Sequence, residues 1–445
     1  MSNKIDDVAL SEELIGFIEQ SPSMFHTVHA IRTYLDAAGF AYLPELDAWQ
    51  VERGSAYYTV RNNSSVVAFK VGAQLPRERY HFQMTASHSD SPTYKVKAVP
   101  EIEGPHEYLR LNVEAYGGVV DSTWFDRPLS VAGRALVDVG DRVESRLVAT
   151  AEPICLIPNM PPHLNRQINK GFEHNRAVDL CPLFSAGELA KGAFTARVAR
   201  ESGVEPESLL AYDLFLVNCQ APVIWGEAGE FVSAQKLDDL QCAFASLKAF
   251  LAAENPSVVN VYACFDNEEV GSGTKQGAKS TLLADVLSRV NGALGFAEQD
   301  LHAALAASFL VSCDNAHAVH PAHPELTDAQ NCVLLNRGVV VKEAASQTYT
   351  TDAFSRAVFE CVCRRAGVPT QPFANRSDKP GGSTLGNLSN LQVSVHAVDV
   401  GLAQLAMHSS YETAGVRDTG YLVEALMGFY SCDVRIDGAD SFTLV

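Results

Sequence analysis

Four strand-like segments in this chain run directly into acids or histidines. Phe82–Ala86 leads into His88-Ser89-Asp90, and Val258–Phe265 into Asp266-Asn267-Glu268-Glu269. Phe309–Cys313 leads into Asp314-Asn315-Ala316-His317, and Val393–Val400, a few residues on, into Met407-His408. Val258–Phe265 is a near-continuous apolar run, the pattern of a strand buried on both faces in a parallel sheet. In Tyr80–His88, the residues Phe82, Met84, Ala86 and His88 alternate onto one face. Open α/β sheets bind ligands beyond the carboxyl ends of their strands. The four polar clusters are therefore expected to converge on one edge of one sheet.

Around these strands the apolar spacing turns helical. Helices are expected over residues 7–20, 25–38, Leu237–Ala253, Thr281–Val290, Asp352–Ala366 and Tyr421–Tyr430. Leu10, Leu14, Phe17 and Ile18 form the apolar stripe of the first. Thr351 or Asp352 caps the fifth, and Gly367 stops it. The alternation predicts an α/β domain with a mostly parallel sheet sandwiched by helices. From Val96 to Ala234 the texture changes to short β patterns, such as Arg134–Val139 and Arg146–Ala149, punctuated by Gly and Pro. This reads as a β-rich domain, residues 96–234, inserted between 1–95 and 235–445 of the first.

Charge limits the partners. With 53 acidic and 34 basic residues the net charge is −19, which does not suit nucleic acid or an anionic membrane, and no Lys/Arg block offers a local exception. No apolar stretch approaches the roughly 20 residues of a membrane span. Met1–Asp7 turns acidic at once, without the apolar core of a signal peptide. The ten cysteines contain no C-x-x-C pair. These features point to a cytoplasmic protein with reduced, mostly buried thiols.

The clustered residues suit metal chemistry. His88 and Asp90, two apart at a strand end, fit an imidazole ligand and a carboxylate that accepts its second ring N–H. Glu268 and Glu269 would repel each other if both were buried and unpaired. A divalent cation resolves that conflict: one carboxylate ligates, while its neighbour moves protons to and from bound water. Asp238-Asp239 opens the third helix, where acids also serve the helix dipole. With Asp314 and His408 the set holds two imidazoles and three or four carboxylates. Such donors suit zinc, with Mn2+ or Co2+ as substitutes. The run from Gly381 to Gly386, which includes Gly382 and Ser383, is neither a nucleophile elbow nor a P-loop. It reads as close backbone approach to substrate or metal. Among His317, His320 and His323, one is a candidate for the pocket wall, His317 being the choice, and His323 reads as polar loop.

Taken in order, these stretches resemble the aspartyl aminopeptidase family, the group that includes vacuolar aminopeptidase I. The resemblance rests on Ser87–Pro92 with Lys95–Lys97, Gly117-Gly118 with Ser122–Arg127, Lys236–Leu240, Asp266–Ser272, Asp314–Pro321, the run ending at Gly386, and Gln404–Ser409. It implies a zinc-exopeptidase-like fold with an inserted dimerisation domain, and a metallo-aminopeptidase acting on peptides with a free N-terminus. By position it implies His88, Asp238, Glu269, Asp314 and His408 as ligands of two Zn2+ per subunit, with Asp238 bridging. It also implies Glu268 as general base and Asp90 as the residue orienting His88. Lys342 resembles a lysine that meets an acidic substrate side chain, which implies a preference for N-terminal Asp or Glu. His163 resembles a histidine lent to a neighbouring subunit within a dodecamer built from dimers. Lys379-Pro380-Gly381, Asn387 and Ser409–Thr413 depart from the eukaryotic pattern. Some relatives with such features prefer neutral or apolar N-termini, which is the alternative, together with a related metal-dependent deacylase.

Overall fold

The computed structural model describes residues 5–445. The first four residues of the acidic N-terminus lie outside the described residues. A nine-stranded sheet runs through the molecule. Its central four strands, Val259–Phe265, Phe82–His88, Phe309–Cys313 and His396–Gly401, pair parallel in that order. Antiparallel neighbours flank them: Ser65–Val71 on one side and Val339–Glu343 on the other. Ala56–Arg61 and Ala41–Tyr42 complete the first edge, and Thr370–Ala374 the second.

Side-chain alternation decides what covers each face. Tyr262, Cys264, Val311, Val398 and Val400 share one core with the helices Asp7–Glu19, Met24–Ala37, Leu237–Ala252, Ala353–Ala366 and Asp418–Ser431. Val259, Val261, Ala263, Phe265, Phe82 and Met84 share another with Leu282–Ala293 and Glu298–Ala306. Helices on both faces explain why the central strands read as unbroken apolar runs. The expected α/β sandwich is therefore observed. Local signals set the helix ends. The Asp352 carboxylate accepts the Ser355 N–H at 2.8 Å, and Gly367, at φ +73°, closes the same helix in the left-handed conformation that favours glycine.

The Phe82–His88 strand differs from its sequence pattern in one respect. The residues between the apolar ones, Gln83, Thr85 and Ser87, are buried as well. Gln83 and Thr85 face the carboxyl end of Asp418–Ser431, whose last carbonyls have no partner within the helix, and Ser87 turns to Ala263 O on the neighbouring strand. Gln83 Nε2 donates to Phe429 O at 2.6 Å and to Cys432 O at 3.0 Å, and its Oε1 accepts the Val434 N–H at 2.8 Å. Asn260 Nδ2 donates to Tyr430 O at 3.0 Å. Polar residues on this face therefore cap a buried helix rather than meet water.

A second, wholly antiparallel sheet spans Thr93 to Asn218. Its order is Val143–Ala149, Leu129–Asp138, Leu209–Asn218, Thr93–Glu103, Leu109–Tyr116 and Leu183–Ser185. It has a core of its own, which includes Trp124, Leu129, Phe194 and Leu214. Val223–Trp225 and Phe231–Ala234 belong to a third sheet, with Glu412–Gly415, Ala403–Leu405 and Ala316–His317. Among the described residues no helix is long and apolar enough to cross a membrane.

Gln83→Leu should cost about 2 kcal/mol of stability, because it strands the buried Val434 N–H and leaves Phe429 O with only the weak Cys432 thiol, while Cys432 O keeps Asn255. Urea denaturation of the two proteins measures the loss, and zinc content should not change.

Candidate metal centre and active site

The parallel register delivers the polar clusters to one edge. Phe265 pairs with His88, and Cys313 with Val400, so the residues after these strands emerge side by side. Glu268 and Glu269 sit in the short 3-10 turn Glu268–Val270, entered through Asn267 at φ +63°. Asp238 stands at the start of Leu237–Ala252, where Asp238 and Asp239 are non-helical and joined by a cis peptide bond. His408 lies between Ala403–Leu405 and Glu412–Gly415 at φ +65°.

Three groups of possible ligand atoms result: His88 with Asp238, Asp239 and Asp314; His88 with Glu268 and Glu269; and Asp238 with Glu269 and His408, so Asp238 is common to the first and third. His88 Nε2 is 3.6 Å from Asp238 Oδ1 and 3.7 Å from Asp314 Oδ1. His408 Nε2 is 3.5 Å from Asp238 Oδ2 and 3.5 Å from Glu269 Oε2. These separations are long for hydrogen bonds. They match two donors of one tetrahedral zinc, which lie roughly 3.4 Å apart when each is about 2.1 Å from the ion. Asp238 Oδ1 and Glu269 Oε1 are buried without a hydrogen-bond partner, as expected of oxygens awaiting a cation. The donor set and its orphaned oxygens therefore fit zinc.

Hydrogen bonds behind the cluster hold it in place. His88 Nδ1 is 3.1 Å from Asp90 O and 3.4 Å from the Asp90 carboxylate. The same carboxylate accepts the N–H groups of Glu268 and Glu269 at 3.1 and 3.2 Å, and the Tyr116 hydroxyl at 2.7 Å. Asp90 thus organises the turn that carries both glutamates as well as facing His88. Glu412, fully buried, accepts the N–H of His408 at 2.7 Å and of Asp238 at 3.0 Å. Gly118 O faces His408 Nδ1 at 3.0 Å. A Cβ on Gly118 would lie 3.0 Å from that nitrogen, so glycine is what lets the chain approach. Tyr116 and Glu412 carry no role in the sequence, although Tyr116 adjoins Gly117 and Glu412 follows His408, because the groups they serve on Asp90 and Asp238 are distant in the chain.

The electrostatics follow from crowding like charges. Burial, reinforced by Asp314, Asp90 and Asp238 and opposed by His88, pushes Glu268 up to about 8. Burial, then Asp238, does the same to Glu412, also to about 8, and holds Glu269 well above the usual carboxylate range. Burial opposes the charged form of both imidazoles, but facing carboxylates outweigh it. His88 lies well above its ordinary value, and His408 is raised to about 9. Asp238, between the two, is held low by them despite its burial.

A cavity of about 140 Å³ opens on these residues. His88, Asp238, Glu268, Glu269, Asp314 and His408 line it, together with His317, Lys342, Tyr349, Phe373 and Gly382–Thr384. His317, Lys342, Gly382 and Ser383 thus come together with the metal-binding candidates. Lys342 lies inside the Val339–Glu343 strand and is 2% exposed. Its Nζ donates to Asn315 O at 2.8 Å and lies 3.4 Å from Asp314 Oδ2. Burial opposes its charge, but Asp314 outweighs it and keeps the ammonium protonated. His163 is exposed and does not line this cavity. His323 is exposed and bonded to Glu325.

An α/β sheet whose strand ends gather imidazoles and carboxylates around a cavity defines a metal-site protein of the hydrolase kind. The chain matches the family model described as Aminopeptidase I zinc metalloprotease (M18) over residues 17–430, and it belongs to that family. It is therefore a zinc aminopeptidase, a hydrolase of peptide bonds. It is 42% identical over 437 residues to a probable M18 family aminopeptidase 2 of Clostridium novyi, covering 97% of this chain and 100% of that one. It is 38% identical over 430 residues to the protein so named in Pseudomonas aeruginosa, covering 95% and 98%. A chain of the Ape4 and Nbr1 complex superposes with a TM-score of 0.92 at 32% identity, over 97% of this chain and 87% of that chain. The mApe1 dodecamer of S. cerevisiae gives 0.83 at 30%, over 95% and 96%.

Two outcomes are expected. A Cβ on Gly401 would lie 1.8 Å from Asp314 O, so Gly401→Ala must displace that residue. It should destabilise the fold by about 2 kcal/mol and lower zinc content, read by calorimetry and metal analysis. In chelator-stripped protein, Glu268 and Glu412 keep protons up to about 8 that the unfolded chain releases near 4.5. The native state then binds more protons than the unfolded one, so stability falls as pH rises through that window. Melting temperatures at both ends of the window check this, and added Zn2+ should restore the loss at the upper end.

Proposed function

We propose that this aminopeptidase works with two Zn2+ per subunit and removes an N-terminal Asp or Glu from peptides. The ligands in this reading are His88, Asp238, Glu269, Asp314 and His408. The observation that carries it is the sharing of Asp238, one oxygen toward His88 and the other toward His408. Mn2+ or Co2+ would satisfy the same donors. Bound there, the metals supply Lewis acidity, which lowers the pKa of a water and polarises the scissile carbonyl.

The remaining steps belong to the chain. Glu268 borders the cavity without being needed as a ligand, and its carboxylate takes the proton of the attacking water and returns it to the nitrogen of the leaving amine. Asp90 holds the backbone of Glu268 and Glu269, so the base and its neighbouring ligand keep a fixed spacing. Carboxylates lining this cavity also suit the free α-ammonium of the substrate, which restricts cleavage to the first residue. Gly382 and Ser383 allow the peptide backbone to approach, and His317 lines the same cavity.

Lys342 supports the acidic preference: it is a buried cation bordering the cavity. A second reading, neutral or apolar N-termini, is favoured by Tyr349, Phe373 and Met407 on the same cavity and by the partners that Lys342 already has. A deacylase would instead accept a blocked N-terminus. The likeness to the mApe1 dodecamer supports assembly into a dodecamer from dimers, in which the exposed His163 would reach a neighbouring subunit. Ten unpaired cysteines fit a reducing cytoplasm.

Glu268→Gln should lower kcat by about a thousandfold while zinc content and melting temperature hold; full activity in that variant removes the role. On the zinc-loaded wild type, release of Asp and Glu from aminoacyl nitroanilides supports the Lys342 assignment. Release of Leu or Ala instead selects the apolar reading, and turnover of acetylated substrates selects the deacylase.

A further inference from the structure

Beside the metal-binding candidates, part of the cavity lining comes from two irregular segments, 346–351 and 381–384, the second leading into the short helix Leu385–Ser389. Tyr349 comes from the first, and Gly382, Ser383 and Thr384 from the second. Neither belongs to a sheet, so their backbones need another anchor. Both converge on one side chain. Asp399, 1% exposed on the His396–Gly401 strand, accepts the Thr350 N–H at Oδ2 and the Thr384 hydroxyl at Oδ1, each at 2.5 Å. Its own N–H donates to Thr351 Oγ1 at 2.8 Å. Asn390 Nδ2 adds a bond to Thr350 Oγ1 at 3.1 Å.

The packing around this carboxylate is close. A Cβ on Gly386 would fall 2.7 Å from Asp399 Oδ1 and 2.8 Å from Thr350 Cγ2, so the first turn of the helix Leu385–Ser389 sits directly on it. Asp399 is also the antiparallel cross-strand partner of Lys342, whose ammonium lies 5.5 Å from the centre of the Tyr349 ring. One buried acid thus ties together the two segments and the cation that face the substrate space, without lining that space itself.

We infer that Asp399 is a positioning residue for substrate: it holds Thr350 and Thr384 so that Tyr349 and Gly382–Thr384 keep the shape of the pocket wall. This rests on the reading of the cavity as the substrate pocket. Charge-assisted bonds from a rigid strand are strong enough for the task, and a misplaced wall weakens binding before it slows chemistry.

The test uses zinc-loaded, full-length protein. In Asp399→Ala and in Thr384→Val, KM for an aminoacyl nitroanilide that the wild type cleaves should rise about tenfold, with kcat within about threefold and zinc content unchanged. Thr384→Ser and Asp399→Asn, which keep a hydroxyl and one acceptor oxygen, should recover most of the loss. The double variant should be no worse than Asp399→Ala alone, since the two residues act as a unit. Amide hydrogen exchange should rise in 346–351 and 381–384 but not in 82–88. Unchanged KM and exchange in both single variants overturn the inference. So does a fall in kcat accompanied by zinc loss, which would place Asp399 with the metal-binding residues. If Asp399→Ala does not fold, Thr384→Val carries both readouts. A wild type that cleaves no substrate with a free N-terminus refutes the proposed substrate, and the exchange pattern then decides the role of Asp399 independently.

Discussion

Asp238, Glu268, Glu269 and Asp314 meet at one sheet edge, faced by the imidazoles of His88 and His408 and the ammonium of Lys342. Two like charges 4 Å apart repel by about 4 kcal/mol even at an effective dielectric of about 20, while a whole domain is stable by only about 5–15 kcal/mol. A fold can hold such a group in two ways: by keeping protons on the acids, or by giving them a cation. The raised values of Glu268 and Glu269 show the first response, and the unpartnered oxygens of Asp238 and Glu269 invite the second. Zinc chemistry is thus built on a site that is unfavourable without it.

The architecture answers that burden with rigidity. Four parallel strands, covered by helices on both faces, end where the charge is needed. A layer of hydrogen bonds then restrains the turns beyond them. Asp90 takes two backbone N–H groups and a tyrosine hydroxyl, and Glu412 takes two backbone N–H groups. The segment of the second, antiparallel sheet takes part here, through Tyr116 on Asp90 and Gly118 beside His408. On the substrate side, Asp399 has the corresponding place, with Thr350 and Thr384 as its partners.

Much of this was legible in the residues. The polar clusters after Phe82–Ala86, Val258–Phe265 and Phe309–Cys313 announced the site together, because each follows a strand of one expected sheet, whose carboxyl ends lie along one edge. The helix ends at Asp352 and Gly367 were legible locally, as caps. The second, polar face of Phe82–His88 was not, since its use depends on a helix end more than 300 residues away. Lys342 gave no sign of full burial, as its counter-ion and carbonyl partner lie on a different strand end. Glu412, Tyr116 and Asp399 gave no sign of their roles, as Asp238, Asp90 and Thr350, which they hold, lie tens to hundreds of residues away.

Sequence alone determined the class of structure, the ordering of strands and helices along the chain, and the residue types available for metal and proton chemistry. Those properties depend on side-chain periodicity, caps and residue identity, all of which act over a few positions. Tertiary structure decided which strand lies beside which, that Asp238 is shared between His88 and His408, and that Asp90, Glu412 and Asp399 serve backbone groups. These depend on closing loops of tens to hundreds of residues. Such closure is fixed by the packing of whole faces against one another, and no local pattern records it.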